Sequence, residues 1–144
     1  MKRVSLIFLI FICLALSACV QNGGITDNVE VTIGASDRFT DAEIESAVDR
    51  VIRKFAADFA GCELLQLWYD EDKSDFSVDS YMRSGRGSTN GVERENVIVL
   101  HSNFYVDSSG GDGSFSPNDT YYNWSWILIR DRKNGTWRVD DWGY

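Results

Sequence analysis

The 144-residue chain is short of five things, and each shortage excludes a class of protein. Three cysteines are too few to staple a disulfide scaffold. A single histidine, His101, leaves a zinc site, which wants several Cys or His ligands, almost nothing to draw on. One proline and 12 glycines without a regular period rule out a collagen-like chain. Basic side chains number 14 against 22 acidic ones, a formal charge of −8, whereas nucleic acid needs clustered Lys and Arg on its phosphates. No apolar run approaches the roughly 20 residues that span a bilayer. What is present is an apolar share of 44%, too high for a disordered polymer and, at this length, suited to one domain.

The longest apolar run sits at the amino terminus. Lys2 and Arg3 precede Leu6 to Leu14, a segment with the dimensions of a secretory signal. It closes on Leu16-Ser17-Ala18-Cys19, which resembles the lipobox of bacterial lipoproteins. That resemblance implies a signal peptide over 1–18, cleavage before Cys19, diacylglycerol on its thiol and commonly a further acyl chain such as palmitate on the new amino terminus. Two or more chains anchor stably, at about 0.8 kcal/mol per buried CH₂. Removing residues 1–18 takes away Lys2 and Arg3 and leaves 12 basic against 22 acidic side chains, a charge of −10. Lipid on Cys19, and not charge, would then hold the protein to the extracytoplasmic face of the cell membrane. The competing reading is an ordinary secretory signal that leaves Cys19 a thiol. Either way Cys13 departs and Cys62 stands alone, better read as a small buried hydrophobe than as a nucleophile.

Residues 19–38 read as the lipidated terminus and a tether, rich in Gly, Asn, Thr and Asp. Val29, Val31 and Ile33 alternate with polar residues, which fits a short strand or an unstructured arm equally well. A single domain follows over 39–144. Thr40-Asp41-Ala42-Glu43 is a capping box, with Phe39 and Ile44 as its hydrophobic staple. Ile44, Val48, Val51, Ile52, Phe55 and Phe59 then form one apolar stripe, predicting a helix over about 41–60. From Cys62 the period changes to two. A strand runs to Asp70, with Leu65, Leu67 and Tyr69 on one face and Leu64 and Trp68 on the other. Residues 70–96 read as charged and irregular, with one helical turn around Phe76 to Met82. Further strands are expected over Asn96–Asp107, Tyr121–Asp131 and Thr136–Trp142. Asn134-Gly135 marks a hairpin between the last two. A two-residue turn would pair Asp131 with Arg138. A left-handed bulge at Gly135 would pair Ile129 with Val139 and Trp126 with Trp142, and it is preferred because it gathers Ile127, Ile129, Trp137 and Val139 on one face.

One amphipathic helix followed by antiparallel strands is an α+β pattern, the helix packing on a curved antiparallel sheet. With the segments Trp126–Asp131, Asn134–Val139 and Asp140–Tyr144 it resembles the nuclear transport factor two-like, or cystatin-like, cone. Leu67-Trp68-Tyr69-Asp70, the Asn103 to Gly113 stretch and the Asp141–Tyr144 ending are similar to a group of uncharacterised lipoproteins of low-GC Gram-positive bacteria. The resemblance implies a fold and a location, and no activity.

Four groups of residues could carry chemistry. His101, on the more polar face of its strand, is the only base for histidine catalysis. Asp107, Asp112, Asn118 and Asp119 offer calcium-type oxygens in one loop, but not at EF-hand spacing, and a solvated loop is the simpler reading. The run Asp70, Glu71, Asp72, Asp75, Asp79 reads as a solvated face. Asp140 and Asp141, as strand neighbours, should point to opposite faces and pair with Arg130 or Arg138 rather than form a dyad. Four of the five tryptophans follow position 123, and Trp124, Trp126, Trp142 and Tyr105 are the candidate lining of a ligand pocket. No cofactor, metal or nucleic acid is implied. The reading preferred is a lipid-anchored, non-catalytic module binding a small molecule or an envelope protein. The alternatives are a cone-fold hydrolase, isomerase or dehydratase using His101, Asp140 or Asp141, and an envelope accessory that forms a homodimer through its sheet.

Overall fold

In the computed structural model, which describes residues 23–144, strands and helices follow one another as β1 (Glu30–Ile33), α1 (Asp41–Asp58), β2 (Cys62–Tyr69), α2 (Glu71–Ser84), β3 (Val97–Val106), β4 (Asp119–Ile129) and β5 (Arg138–Gly143). The signal peptide expected over 1–18 and Cys19 lie outside the described residues. The architecture is α+β. The five strands lie in chain order, β1 parallel to β2 and every other pair antiparallel. The sheet is therefore mixed, which corrects the expectation of an antiparallel one. A parallel neighbour needs a crossover, and α1 supplies it between β1 and β2.

The capping box starts α1 as its residues dictate. The Thr40 hydroxyl accepts the Glu43 amide at 3.3 Å, and the Glu43 carboxylate takes the Thr40 amide at 2.9 Å. Ile44, Ala47, Val48, Val51 and Phe55 then bury one stripe of the helix. They pack on one sheet face, against Cys62, Leu64, Leu67, Tyr69, Leu100, Phe104, Trp126 and Leu128. Strict alternation would put Leu64 opposite Leu67. A bulge between Leu64 and Gln66 shifts the phase by one residue, so both reach the core.

A second irregularity, between Ile127 and Leu128, resets the terminal hairpin. Trp126 pairs with Trp142 as expected, but Ile129 pairs with Arg138 and Leu128 with Val139. The left-handed turn residue is Asn134 (φ 64°), not Gly135, whose amide donates to the Arg132 carbonyl at 2.8 Å. The single apolar face expected of this hairpin thus divides. Trp137 and Val139 join the α1-side core, while Ile127 and Ile129 join a second cluster on the other side.

That second cluster exists because of α2, where only one helical turn was expected. The Asp70 carboxylate caps it by accepting the Lys73 amide at 2.9 Å, acidic residues occupy its first turn, and Arg83 sits in its last. Its buried stripe is only Ser74, Val78 and Tyr81, too narrow to announce itself among so many charges. Val78 and Tyr81 cover Val97, Val99 and Ile129. The sheet therefore has a helix on each face.

The amino-terminal segment joins the fold well before Phe39. The Gly24 amide donates to the Ala56 carbonyl at 3.1 Å, and Ile25 exchanges backbone bonds with Cys62 (2.8 Å) and Leu64 (2.9 Å). A Cβ on Gly24 would stand 2.6 Å from the Phe55 ring, so only glycine allows so close an approach. Of the two readings of Val29–Ile33, the strand is the one realised.

Candidate functional site

Beyond the amino-terminal half of α2, the second sheet face turns polar. Trp68 on β2 is in register with His101 on β3, and Gln66 with Asn103. Across the next pair a bulge between Ser102 and Phe104 places Asn123 of β4 beside them, at φ 57°. Asparagine is among the few side chains that adopt this left-handed backbone readily, and bulges commonly re-aim a side chain. Two side-chain amides and one backbone N–H link these residues. Asn103 donates from its side chain to Gln66 Oε1 at 2.6 Å, its own oxygen accepts the Asn123 backbone N–H at 3.0 Å, and Gln66 Nε2 donates to Glu30 at 3.3 Å.

Two grooves open on this patch, and Asn123 borders both. One, of about 490 Å³, includes Glu30, Thr32, Gln66, Trp68 and Asn103 in its walls. The other, of about 330 Å³, is formed with Asp72, Lys73, Phe76, Ser77 and His101. The Phe76 ring on α2 is 78% exposed. Lys73 Nζ lies 5.9 Å from the Trp68 ring centroid and makes no ion pair among the described residues.

His101 is the buried member of the patch, 6% exposed, its ring stacked on that of Trp68 with centroids 6.1 Å apart. Nε2 lies 3.4 Å from Ser77 Oγ, and Nδ1 is buried without a hydrogen-bond partner. Leaving such an atom unmatched costs about 1–3 kcal/mol. Burial, helped by Lys73 and opposed by Asp70, holds the imidazole below its ordinary pKa, so the ring is neutral at pH 7. A neutral base next to a hydroxyl could in principle take its proton. No carboxylate accepts from Nδ1 to orient the ring, the third member such a relay needs.

The four residues expected to line a pocket do not share one. Trp126 is fully buried, its indole N–H bonded to Ser102 Oγ at 2.8 Å. Trp124 is half-buried on the α1 side among Phe104, Tyr121 and Tyr144, its own indole N–H unpartnered. Trp142, 41% exposed, lies under Lys54 at 4.7 Å. The Tyr105 hydroxyl reaches Asn118 at 3.4 Å on the opposite face from Phe104.

The carboxylates are engaged elsewhere. Asp140 is the extra residue of the β5 irregularity, which turns it and Asp141 toward the α2 side together instead of to opposite faces. Asp140 accepts from the Tyr81 hydroxyl at 2.7 Å and lies 3.5 Å from Arg86; the burial of Tyr81 and this carboxylate together push its phenol far up. The expected arginine partners are taken. Arg130 is buried against Glu43 (2.6 Å), and Arg138 pairs with Asp131 (2.7 Å). His101 and Asp140 line different grooves. In the loop, Asp107 and Asp112 accept from Ser109 and Ser114, and among the described residues no three His, Cys, Asp or Glu converge as metal ligands. Of the acidic run, Asp70 caps α2, Glu71 binds Ser36, Asp75 pairs with Arg38, and Asp79 with Arg94. Cys62 is buried, and burial with Asp107 and Asp112 nearby pushes its thiol up to about 11.

Sequence reasoning thus named His101, set Asn103 on the same strand face and Trp68 on the far side from Leu67, but missed Gln66 and Asn123 as their neighbours. The signal was there in the polar positions flanking two apolar strands. Their alignment depends on the two bulges. Among the described residues no helix is long and apolar enough to cross a membrane. No curated protein and no solved structure matches the chain. One family model does match, over residues 43–143, a span that runs from the first turn of α1 to the end of β5 and takes in most of the grooved patch. The chain belongs to that family, described as domain of unknown function DUF4829.

Proposed function

We propose that this chain is a lipid-anchored binding module of the cell membrane's extracytoplasmic face, and that its ligand occupies the grooves around Trp68 and His101. Residues 1–18 act as the signal, Cys19 carries the lipid, and a mature charge of −10 keeps the domain from adhering to an anionic surface by itself. The fold reading that accompanies this is the nuclear transport factor two-like cone. Its support is α1 lying along one sheet face and three irregularities, in β2, β4 and β5, each of which bends its strand. The observation that carries the binding reading is His101, buried and with one ring nitrogen matched by no protein group among the described residues, beside an accessible patch of ring and amide side chains.

Two measurements test it. Cys19→Ser should release the protein from the membrane fraction or stall its maturation; retention at the processed size overturns the anchor. Hydrogen exchange of the full-length chain should be slower at residues 66–77, 101–103 and 123 in cell-envelope preparations than after detergent purification. Exchange that is unchanged there overturns the binding site.

The 3.4 Å approach of Ser77 to His101 favours a second reading, an enzyme. Loss of biological function in His101→Ala with fold and anchoring intact, and none in Trp68→Phe, would establish it over the first.

A further inference from the structure

We infer that the grooved patch takes a neutral glycan, a short pyranoside chain seated on Trp68 and hydrogen-bonded by Gln66, Asn103 and Asn123. This rests on the patch being the binding site. The inference lies in the match of chemistry. A pyranose ring presents a C–H face that packs on an indole, and hydroxyls around its rim that each donate and accept. Trp68 offers a half-buried indole in the wall of one groove, and Phe76 an exposed ring in the wall of the other, with Asn123 between them. Planar amides present a donor and an acceptor side by side, the complement of neighbouring hydroxyls. The Glu30–Gln66–Asn103–Asn123 chain of bonds fixes two of these amides in place while leaving each with unused hydrogens. The Asn123 side chain and the Thr32 hydroxyl engage no partner among the described residues, and both face groove space.

Charge decides which polymer. Glu30, Asp70 and Asp72 stand at the margins, and Lys73 is the one cation in the groove walls. A phosphate-linked polyanion would meet more repulsion than attraction, as would nucleic acid. A neutral or N-acetylated sugar meets neither. A peptide adding to the open edge of β1 is the competing occupant, and it would bypass the amides.

The test uses the detergent-solubilised full-length chain and three defined tetrasaccharides, chitotetraose, cellotetraose and maltotetraose, followed by isothermal titration calorimetry, whose signal does not depend on the indole being replaced. At least one should give a saturable change. Trp68→Ala should weaken that binding by about tenfold or more, and Trp68→Phe should retain most of it. Asn123→Gly removes the amide while keeping a residue at ease with φ 57°, so it separates lost contact from lost fold. Absence of binding by all three sugars, or binding indifferent to Trp68→Ala and Asn123→Gly in chains of unchanged thermal midpoint, overturns the glycan. If envelope material still slows exchange at residues 66–77 while the sugars fail, the glycan is wrong and the site stands; if both fail, the binding reading falls with it.

Discussion

At the scale of single residues, His101 joins stability to pH. Its folded pKa lies below the ordinary 6.5, so the unfolded chain takes up a proton that the folded chain refuses. The stability it confers is complete above about 6.5 and drains away as pH falls from there toward the folded value. The groups that act on its charge are Lys73, which disfavours the imidazolium, and Asp70, which favours it. The expected result is a urea midpoint that declines as pH falls below 6.5 in the natural chain and declines less in His101→Phe. Parallel declines would show that burial does not hold the ring neutral. Glu43 belongs to the same scale. Burial by itself would raise its carboxyl, but the Thr40 amide and the Arg130 guanidinium outweigh that and hold it down, so its contribution fades only in stronger acid.

At the scale of elements, legibility follows how many signals coincide. In α1, cap, staple and stripe fall on consecutive residues and agree, and the helix came out within two residues of its expected end. A thermal-unfolding comparison should place Thr40→Ala about 1 kcal/mol below the natural chain. No change would mean that the Glu43 carboxylate alone serves this helix end. In α2 the cap is Asp70 and the stripe has three members, Ser74, Val78 and Tyr81, one of them a serine that reads as polar. That serine is buried because its hydroxyl accepts the Val99 amide at 3.1 Å, a partner no local pattern announces. The strands were legible as strands and the two faces of β3 with them, but in β2 and the terminal hairpin a bulge at Leu64/Gln66 or Ile127/Leu128 shifts the phase, so one strict alternation misplaces residues on one side of it. This is why the candidate site was half visible. His101 and Trp68 could be set on the polar side, whereas Asn123 and the joint orientation of Asp140 and Asp141 depend on irregularities that leave no mark in the residues themselves.

At the scale of the whole molecule, charge and open edges pull in opposite directions. β1 and β5 each leave one edge unpaired, and Val31 on β1 is 40% exposed, so sheet-to-sheet pairing has somewhere to start. A charge of −8, or −10 with residues 1–18 removed, resists it. Sedimentation of residues 20–144 should give the mass of one chain at low salt. A doubled mass that persists there would instead favour the homodimeric accessory.

The docking of Gly24 and Ile25 has a consequence for posture. With Cys19 acylated, five residues reach from the lipid to Gly24, a leash of at most about 18 Å. Ile25 bridges Glu63 near the start of β2, and Trp68 stands five residues further along, about 17 Å away at the rise of a strand. A body moored so short by one end could rock but not roam, and the rim farthest from its mooring would be the one that bears the indole.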